Sequence, residues 1–183
     1  MILATVLLFQ AMNSTMVLTD PLASMRDERQ QSLDALQGHS KMVILFLNEQ
    51  CSVTFYYKAR LQKMVKDFSP KGFVFVGVRV GRKQYPDRPV NLPEMKYLQI
   101  PFLDDANGIV MDKFKVGQSL TFAVLDQNRQ LRYFGGMDDN VDPLQVKRNP
   151  LLNAIRAVAA GKTPAIQRAD AIGCAILPME KSS

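Results

Sequence analysis

Residues Met42–Leu47 read MVILFL, an unbroken apolar run that decides the fold. The run is too short for a helix and rich in strand-forming residues, so it predicts a central strand covered on both faces. Phe73–Val80 is a second run of the same kind. Between them, from about Cys51 to Phe68, apolar residues recur at helical spacing until Ser69–Gly72 brings a proline and a glycine. Strand, helix and strand in this order predict two adjacent parallel strands in the centre of a sheet, with Cys51 in the first turn of the helix.

The remaining pattern adds a hairpin and a last helix. Phe122–Leu125 and Leu131–Gly135 are strand-like runs separated by five polar residues, which predicts an antiparallel pair. Asn149, followed by a proline, is typical of a helix start, and Gly161 of a helix end. Three smaller elements are expected before the hairpin: a short helix within Pro93–Gln99, an extended segment at Ile100–Leu103 and a helix within Asn107–Val116. The whole order predicts an α/β fold with a mixed central β-sheet and helices on both faces.

Composition and charge argue against several kinds of site. The 183 residues predict one domain with terminal extensions. Cys51 and Cys174 are too few for a disulfide scaffold, and with His39 as the single histidine no metal or cofactor site is predicted. The net charge is +6, but Lys and Arg are spread along the chain without interleaved aromatic residues. No nucleic-acid surface is therefore expected.

The N-terminal residues 1–31 allow two interpretations. Ile2–Phe9 is a short apolar run followed by small residues, as in an export signal, although no positive charge precedes it. The same run also fits an ordinary strand, so residues 1–31 are either an N-terminal extension or the remnant of an export signal. If they are the remnant of an export signal, the protein is expected in the periplasm or another extracytoplasmic location and not in the cytoplasm. No run reaches the length of a transmembrane helix, so no integral membrane segment is expected.

Cys51 follows the first central strand after a polar break at Asn48–Gln50. An isolated cysteine in such a place can be a small buried apolar residue. It can also be a thiolate that the N-terminus of the following helix activates through its free amides and its dipole. The residues alone leave both interpretations open.

Five motifs in this chain resemble the redoxins of the thioredoxin superfamily, the relatives of alkyl-hydroperoxide reductase and thiol-specific antioxidant proteins. Among these, the chain is most similar to peroxiredoxin-like proteins that end in a Gly-Cys tail. The motifs are a lead-in at Ser32–Gly38, a strand that delivers a cysteine at Val43–Cys51, a hairpin with an acidic turn at Val124–Asp139, a helix end at Ala159–Lys162 and a tail motif at Ile172–Ile176. The resemblance implies a thioredoxin-like redoxin domain at residues 32–161 and a C-terminal tail at residues 162–183 that carries Cys174.

Two motifs that the resemblance leads one to expect are incomplete. Thioredoxins carry C-x-x-C, but here Thr54 stands where the nearby resolving cysteine would be. A peroxidase site needs P-x-x-x-T-x-x-C, and counting back from Cys51 places Ile44 and Asn48 at the proline and threonine positions. Counting back from Thr54 instead gives Leu47 and Cys51, with no cysteine at the end. Neither alignment satisfies the peroxidase motif.

A third departure concerns the loop before the hairpin. The family has a cis-proline there, which faces the active cysteine and shapes the substrate groove, and Leu120 stands at that position. We expect a trans Ser119–Leu120 peptide, because a cis bond without proline costs about 3–4 kcal/mol. The expected substrate groove consists of Thr54, Ser119, Leu120 and Thr121, with Leu120 partly filling it.

The resemblance implies that Cys174 is the distant partner of Cys51, and their bond is either a stabilising link or a reversible redox couple. Three functions follow. The first is a redoxin that uses Cys51 with Cys174 on a protein thiol or disulfide or on a small peroxide. The second is a redox-inactive binding or structural module, and the third a one-cysteine thiol enzyme resolved by an external reductant. We take the first as the working hypothesis and predict no oligomeric state.

Overall fold

The structure is a computed structural model that describes residues 15–48, 50–81 and 96–176. These residues contain eight strands and four α-helices. The strands are β1 (Leu22–Ser24), β2 (Gln30–Gln31), β3 (Lys41–Leu47), β4 (Phe73–Arg79), β5 (Phe102–Asp104), β6 (Thr121–Leu125), β7 (Leu131–Gly135) and β8 (Arg168–Ala169). The helices are α1 (Leu33–Gln37), α2 (Thr54–Phe68), α3 (Ile109–Phe114) and α4 (Pro150–Ala159), with single 3-10 turns at Ser69–Lys71 and Lys96–Leu98.

All eight strands lie in one sheet, in the order β2-β1-β5-β4-β3-β6-β7-β8. β3 and β4 pair in parallel at its centre, with Val43 opposite Phe75, as the two apolar runs predict. β6 pairs antiparallel both with β3 and with β7, which confirms the hairpin. The fold is therefore the predicted thioredoxin-like α/β fold with a mixed sheet.

The core has two layers because successive side chains of β3 point to opposite faces of the sheet. Val43, Leu45 and Leu47 lie in one buried cluster with the apolar sides of α2 and α4. Met42, Ile44 and Phe46 lie in the other, with residues of α1 and α3. Both faces are covered by helices, which explains why β3 is apolar at every position after Lys41.

Helix α2 begins at Thr54, so the expectation that Cys51 lies in its first turn is wrong. Residues 51–53 form a tighter turn instead, in which the Thr54 N–H donates to the Cys51 carbonyl at 3.1 Å. The N-cap position, Val53, makes no side-chain cap. The apolar side of the helix is buried as predicted, and the chain leaves it through a 3-10 turn that ends at Gly72.

The smaller elements match the predictions less closely. Strand β5 starts two residues later than the expected extended segment, and the helix expected within Asn107–Val116 is the six-residue α3. Only the end of the helix expected at Pro93–Gln99 lies within the described residues, and the apolar run Ile2–Phe9 lies outside them. Asn149 precedes α4 without a side-chain cap, whereas Gly161 ends it with φ +68°, a conformation that favours glycine.

The sheet includes residues on both sides of the 32–161 domain expected from the sequence. β1 and β2 precede residue 32, and β8, in the tail, pairs in parallel with β7. These strands have two or three residues each, which is too short for a hydrophobic period to appear in the sequence. None of the helices in the described parts of the chain is long and apolar enough to cross a membrane.

Candidate active site

The turn after β3 places Cys51. The N–H of Asn48 donates to the Ser119 hydroxyl at 2.9 Å, which ties the end of β3 to the loop before β6. The Asn48 side chain then accepts the N–H of Gln50, and its carbonyl accepts the N–H of Cys51. This chain of bonds holds Cys51 three residues ahead of α2, buried at 3% exposure.

Cys51 and Cys174 are joined in a disulfide, with their Cα atoms 5.5 Å apart and a sequence separation of 123. The N–H of Cys174 also donates to the Cys51 sulfur at 3.1 Å. Cys174 is half-buried, whereas Cys51 is fully buried. The structure thus brings together the two cysteines that the family resemblance pairs.

The tail reaches Cys51 as an added strand, antiparallel to the chain that precedes β6. The N–H of Ser119 donates to the Cys174 carbonyl, and the N–H of Ile176 donates to the Gly117 carbonyl, both at 2.9 Å. The residue between them on each segment completes an antiparallel bridge. Main-chain bonds therefore hold the tail in place in addition to the disulfide.

Two tail residues, Gly173 and Ile176, explain how closely the tail fits. A Cβ atom on Gly173 would lie 1.8 Å from the Ser119 carbonyl oxygen, a distance that no side chain tolerates. Ile176 is 5% exposed and belongs to the buried cluster that α3 covers. Glycine on one side of Cys174 and a buried aliphatic residue on the other thus fix the path of the tail.

The expected groove residues have different environments. Thr54 begins α2, and its hydroxyl oxygen is buried without a hydrogen-bond partner among the described residues. Ser119 is fully buried and meets the tail through its backbone. Thr121 is buried as well, and its hydroxyl donates to the Gln118 carbonyl at 2.8 Å. The backbone before β6, rather than a row of exposed side chains, forms the surface beside Cys51.

Leu120 lies in the core instead of partly filling a groove, with 1% of its surface exposed. No peptide within the described ranges is cis, so the trans Ser119–Leu120 bond is confirmed. The φ angle of Leu120 is +59°, in the left-handed region that a branched side chain rarely adopts. Its N–H donates to the Phe46 carbonyl at 2.9 Å. Burial of the side chain and this bond hold the residue in a strained conformation.

A buried ionic cluster beyond the start of α2 was not predicted from the sequence. Asp138, in the turn after β7, accepts hydrogen bonds from the Tyr57 hydroxyl at 3.1 Å and from Arg60 at 2.5 Å. The Arg60 guanidinium also lies 3.9 Å from the centre of the Tyr57 ring. Burial, reinforced by the Asp138 charge, raises the pKa of the Tyr57 phenol above its ordinary value. The cluster anchors α2 to the loop after β7.

The sequence offers one signal for this cluster, the acidic turn at Asp138 and Asp139. Carboxylates in such a turn usually form the turn itself. Asp139 does so, since it accepts the backbone N–H groups of Lys147 and Arg148. Within the described parts of the chain, no group of three or more His, Cys, Asp or Glu side chains is placed to hold a metal ion.

Solved structures show the same fold at low sequence identity. An uncharacterised conserved protein from Geobacillus kaustophilus has a TM-score of 0.76 and 23% identity, over 92% of this chain and 94% of that one. A hypothetical protein from Sinorhizobium meliloti 1021 has a TM-score of 0.70 and 22% identity, over 90% and 96%. Peroxidoxin BcpB from Mycobacterium tuberculosis has a TM-score of 0.58 and 18% identity, over 81% and 96%.

No curated protein sequence matches this chain. The family model of the AhpC/TSA family matches residues 11–134. The matched range includes Cys51 and the β6–β7 hairpin up to Phe134, one residue before β7 ends, and it stops before the tail that carries Cys174. A match over more than half of the chain, together with the thioredoxin-like sheet, establishes that this protein belongs to the AhpC/TSA family.

Proposed function

We propose that the protein carries out thiol–disulfide exchange, with Cys51 as the attacking thiolate and Cys174 as the resolving cysteine. One observation carries the proposal, the disulfide between Cys51 and Cys174. Membership of the AhpC/TSA family supports a redox role for this pair. The disulfide is then the oxidised state of the site.

The reaction starts from the reduced protein. The Cys51 thiolate attacks one sulfur of a substrate disulfide, forms a mixed disulfide with it and releases the other substrate sulfur as a thiolate. The Cys174 thiolate then attacks the Cys51 sulfur, which forms the internal disulfide and releases the second substrate thiolate. Two electrons and no oxygen atoms pass from the protein to the substrate, and an external dithiol must return them.

The environment of Cys51 supports its role as the attacking sulfur. It lies three residues ahead of α2, and the first turn of that helix, residues 54–57, carries no acidic side chain. The positive end of the helix dipole therefore favours the Cys51 thiolate over the thiol. Cys174 is the more exposed of the two cysteines. An external thiol that reduces the protein thus meets the Cys174 sulfur first and releases the Cys51 thiolate.

Peroxide reduction is the second candidate, and the AhpC/TSA match favours it. In that case the Cys51 thiolate takes one oxygen from a peroxide to form a sulfenic acid and releases an alcohol or water. The Cys174 thiol condenses with the sulfenic acid, which yields the same disulfide and a water molecule. Ile44 is buried in the core, and the Asn48 side chain accepts the Gln50 N–H. Neither residue supplies the groups of the peroxidase motif, so we rank this candidate second.

The test measures intact mass after thiol blocking. Reduced wild type treated with oxidised glutathione should lose both free thiols and carry no adduct. Cys174→Ser should accumulate one glutathione on Cys51, and Cys51→Ser should react far more slowly. A disulfide that resists excess reductant in the folded protein, or a Cys51→Ser variant as reactive as Cys174→Ser, would contradict the proposal. Faster oxidation by hydrogen peroxide than by oxidised glutathione would favour the second candidate.

A further inference from the structure

We propose that the substrate of this site is an extended protein segment with glycine directly before its reactive cysteine and an aliphatic residue two positions after it. The inference rests on the proposed function and names its substrate class. The pattern is that of Gly173, Cys174 and Ile176 in the tail, which occupies the site as a bound peptide would. A substrate segment takes the place of the tail once the disulfide is open.

The first step of the argument is the main-chain pairing. The N–H of Ser119 and the carbonyl of Gly117 each bond to the tail at 2.9 Å, one on either side of an antiparallel bridge. These two groups recognise any extended backbone, because they contact no side chain of the tail. When the tail leaves, both groups lose their partners in the tail, and another extended segment restores the bonds.

The second step is the rigidity of this edge. The N–H of Leu120 donates to the Phe46 carbonyl, and the Ser119 hydroxyl accepts the N–H of Asn48, both at 2.9 Å. Ser119 is 0% exposed and Leu120 is 1% exposed. The segment is thus bonded to β3 on one side and to the tail on the other. The backbone at Ser119 and Leu120 therefore cannot shift easily to make space for a larger bound residue.

The third step is the selectivity for glycine. A Cβ atom at position 173 would lie 1.8 Å from the Ser119 carbonyl oxygen and 2.7 Å from its carbonyl carbon. Both atoms belong to the hydrogen-bonded backbone of Ser119, so a change of side-chain rotamer cannot relieve the clash. A substrate with any other residue before its cysteine cannot hold that cysteine in the position of Cys174 while its backbone pairs with Ser119.

The fourth step concerns the residues after the cysteine. Ala175 is exposed, so the position after the cysteine is not restricted. Ile176 is 5% exposed and packs in the cluster that also holds Val116 and Phe114. A substrate residue in its place gains the same free energy of burial if it is apolar, and an aliphatic residue also matches the size of Ile176. Together these contacts define the pattern Gly-Cys-x-aliphatic.

The experiment uses the reduced full-length Cys174→Ser variant, in which Cys51 is the single reactive thiol. The probes are peptides of sequence DAIGCAI, the tail residues 170–176, whose cysteine carries thionitrobenzoate as a mixed disulfide. Attack of Cys51 on the peptide sulfur forms the Cys51–peptide disulfide and releases coloured thionitrobenzoate. The matched probes are DAIACAI, DAIGCAS and DAIGCSI, and the thionitrobenzoate disulfide of free cysteine reports the intrinsic reactivity of Cys51.

We expect DAIGCAI and DAIGCSI to react at similar rates. DAIACAI should be slower by roughly tenfold or more and DAIGCAS by several-fold, the range that one clash or one lost apolar contact gives. Equal rates for DAIGCAI and DAIACAI, with normal reactivity toward the cysteine probe, would overturn this inference and leave the proposed function standing. Failure of every probe, free cysteine included, would overturn both.

Discussion

The backbone N–H of Ser119 donates to the carbonyl oxygen of Cys174 at 2.9 Å. This main-chain bond holds Cys174 beside Cys51 independently of the disulfide. One such bond stabilises the docked tail by about 0.5–1.5 kcal/mol. The second main-chain bond and the burial of Ile176 add to it. Opening the disulfide therefore leaves Cys174 close to Cys51, in competition with any substrate for the same edge.

This competition predicts slow reduction of general protein disulfides. Thr54 stands in the position of a local resolving cysteine. In each turnover the tail must therefore leave the site so that the substrate can bind, and Cys174 must then return to resolve the mixed disulfide and release the substrate. In an insulin-reduction assay with dithiothreitol, the wild type should be orders of magnitude slower than a C-x-x-C thioredoxin. Cys51→Ser and Cys174→Ser serve as controls and should show only background turnover. A wild-type rate like that of thioredoxin would contradict the prediction.

The disulfide should also contribute strongly to stability. It links residues separated by 123 positions in the sequence, and a closed loop of that size reduces the entropy of the unfolded chain by an equivalent of about 4–5 kcal/mol. We expect Cys174→Ser to lower the free energy of unfolding, measured in urea, by several kcal/mol. Reduced wild type should unfold at nearly the same urea concentration as the variant. A variant as stable as the oxidised wild type would show that the link adds nothing.

Restoring the family proline should destabilise the protein instead of rebuilding a groove. Leu120 has φ +59°, donates its N–H to Phe46 and is buried. Proline has no N–H and requires φ near −65°, so we expect Leu120→Pro to lower the free energy of unfolding by at least about 3 kcal/mol. Leu120→Gly, which relieves the left-handed strain but loses the side chain, should cost less than the proline. Urea denaturation of both variants decides the order, and a proline variant as stable as wild type would refute the argument.

Arg60 should matter far more to stability than a neighbouring surface lysine. The Asp138 carboxylate has no exposed side-chain surface, and its partner Arg60 is 18% exposed. Arg60→Ala leaves this carboxylate without its counter-charge and should cost about 3 kcal/mol. The matched control on the same helix is Lys63→Ala, which breaks an exposed pair with Asp67 and should cost at most about 0.5 kcal/mol. Equal losses in thermal or urea unfolding would contradict the assignment of a buried cluster.

Asp139 should make stability sensitive to acid. The backbone N–H groups of Arg148 and Lys147 lower its pKa from the ordinary 3.8 to about 2. The folded state therefore binds this proton less readily than the unfolded state, and the resulting stabilisation is present above pH 3.8 and lost as the pH falls toward 2. Asp139→Asn should flatten the pH dependence of unfolding in that window. An unchanged pH profile would show that the carboxylate does not contribute in this way.

The centre of the fold was predictable because β3 and β4 are apolar at nearly every position, a pattern typical of strands buried on both faces. The pairing of Cys51 with Cys174 came from a family resemblance, since no local rule connects residues so far apart. The burial of Leu120 in the core could not be predicted, because it depends on a left-handed backbone conformation that leucine itself disfavours. Asp138 was missed for a different reason, because its partners Tyr57 and Arg60 lie on α2, and only the folded chain brings them together.

Among the strands that the structure describes, the two at the ends of the sheet order, β2 and β8, have only two residues each. Such short strands offer another chain few main-chain groups to pair with, which protects a protein against edge-to-edge aggregation. β8 pairs with β7, and the Phe134 N–H also donates to the carbonyl of Gln167, the residue before β8. β8 lies in the tail ahead of Gly173. A tail that detaches only from Gly173 onward opens the cysteine site and leaves this cover in place. Because β8 stays paired with β7, Cys174 can move without exposing the edge of β7 to another chain.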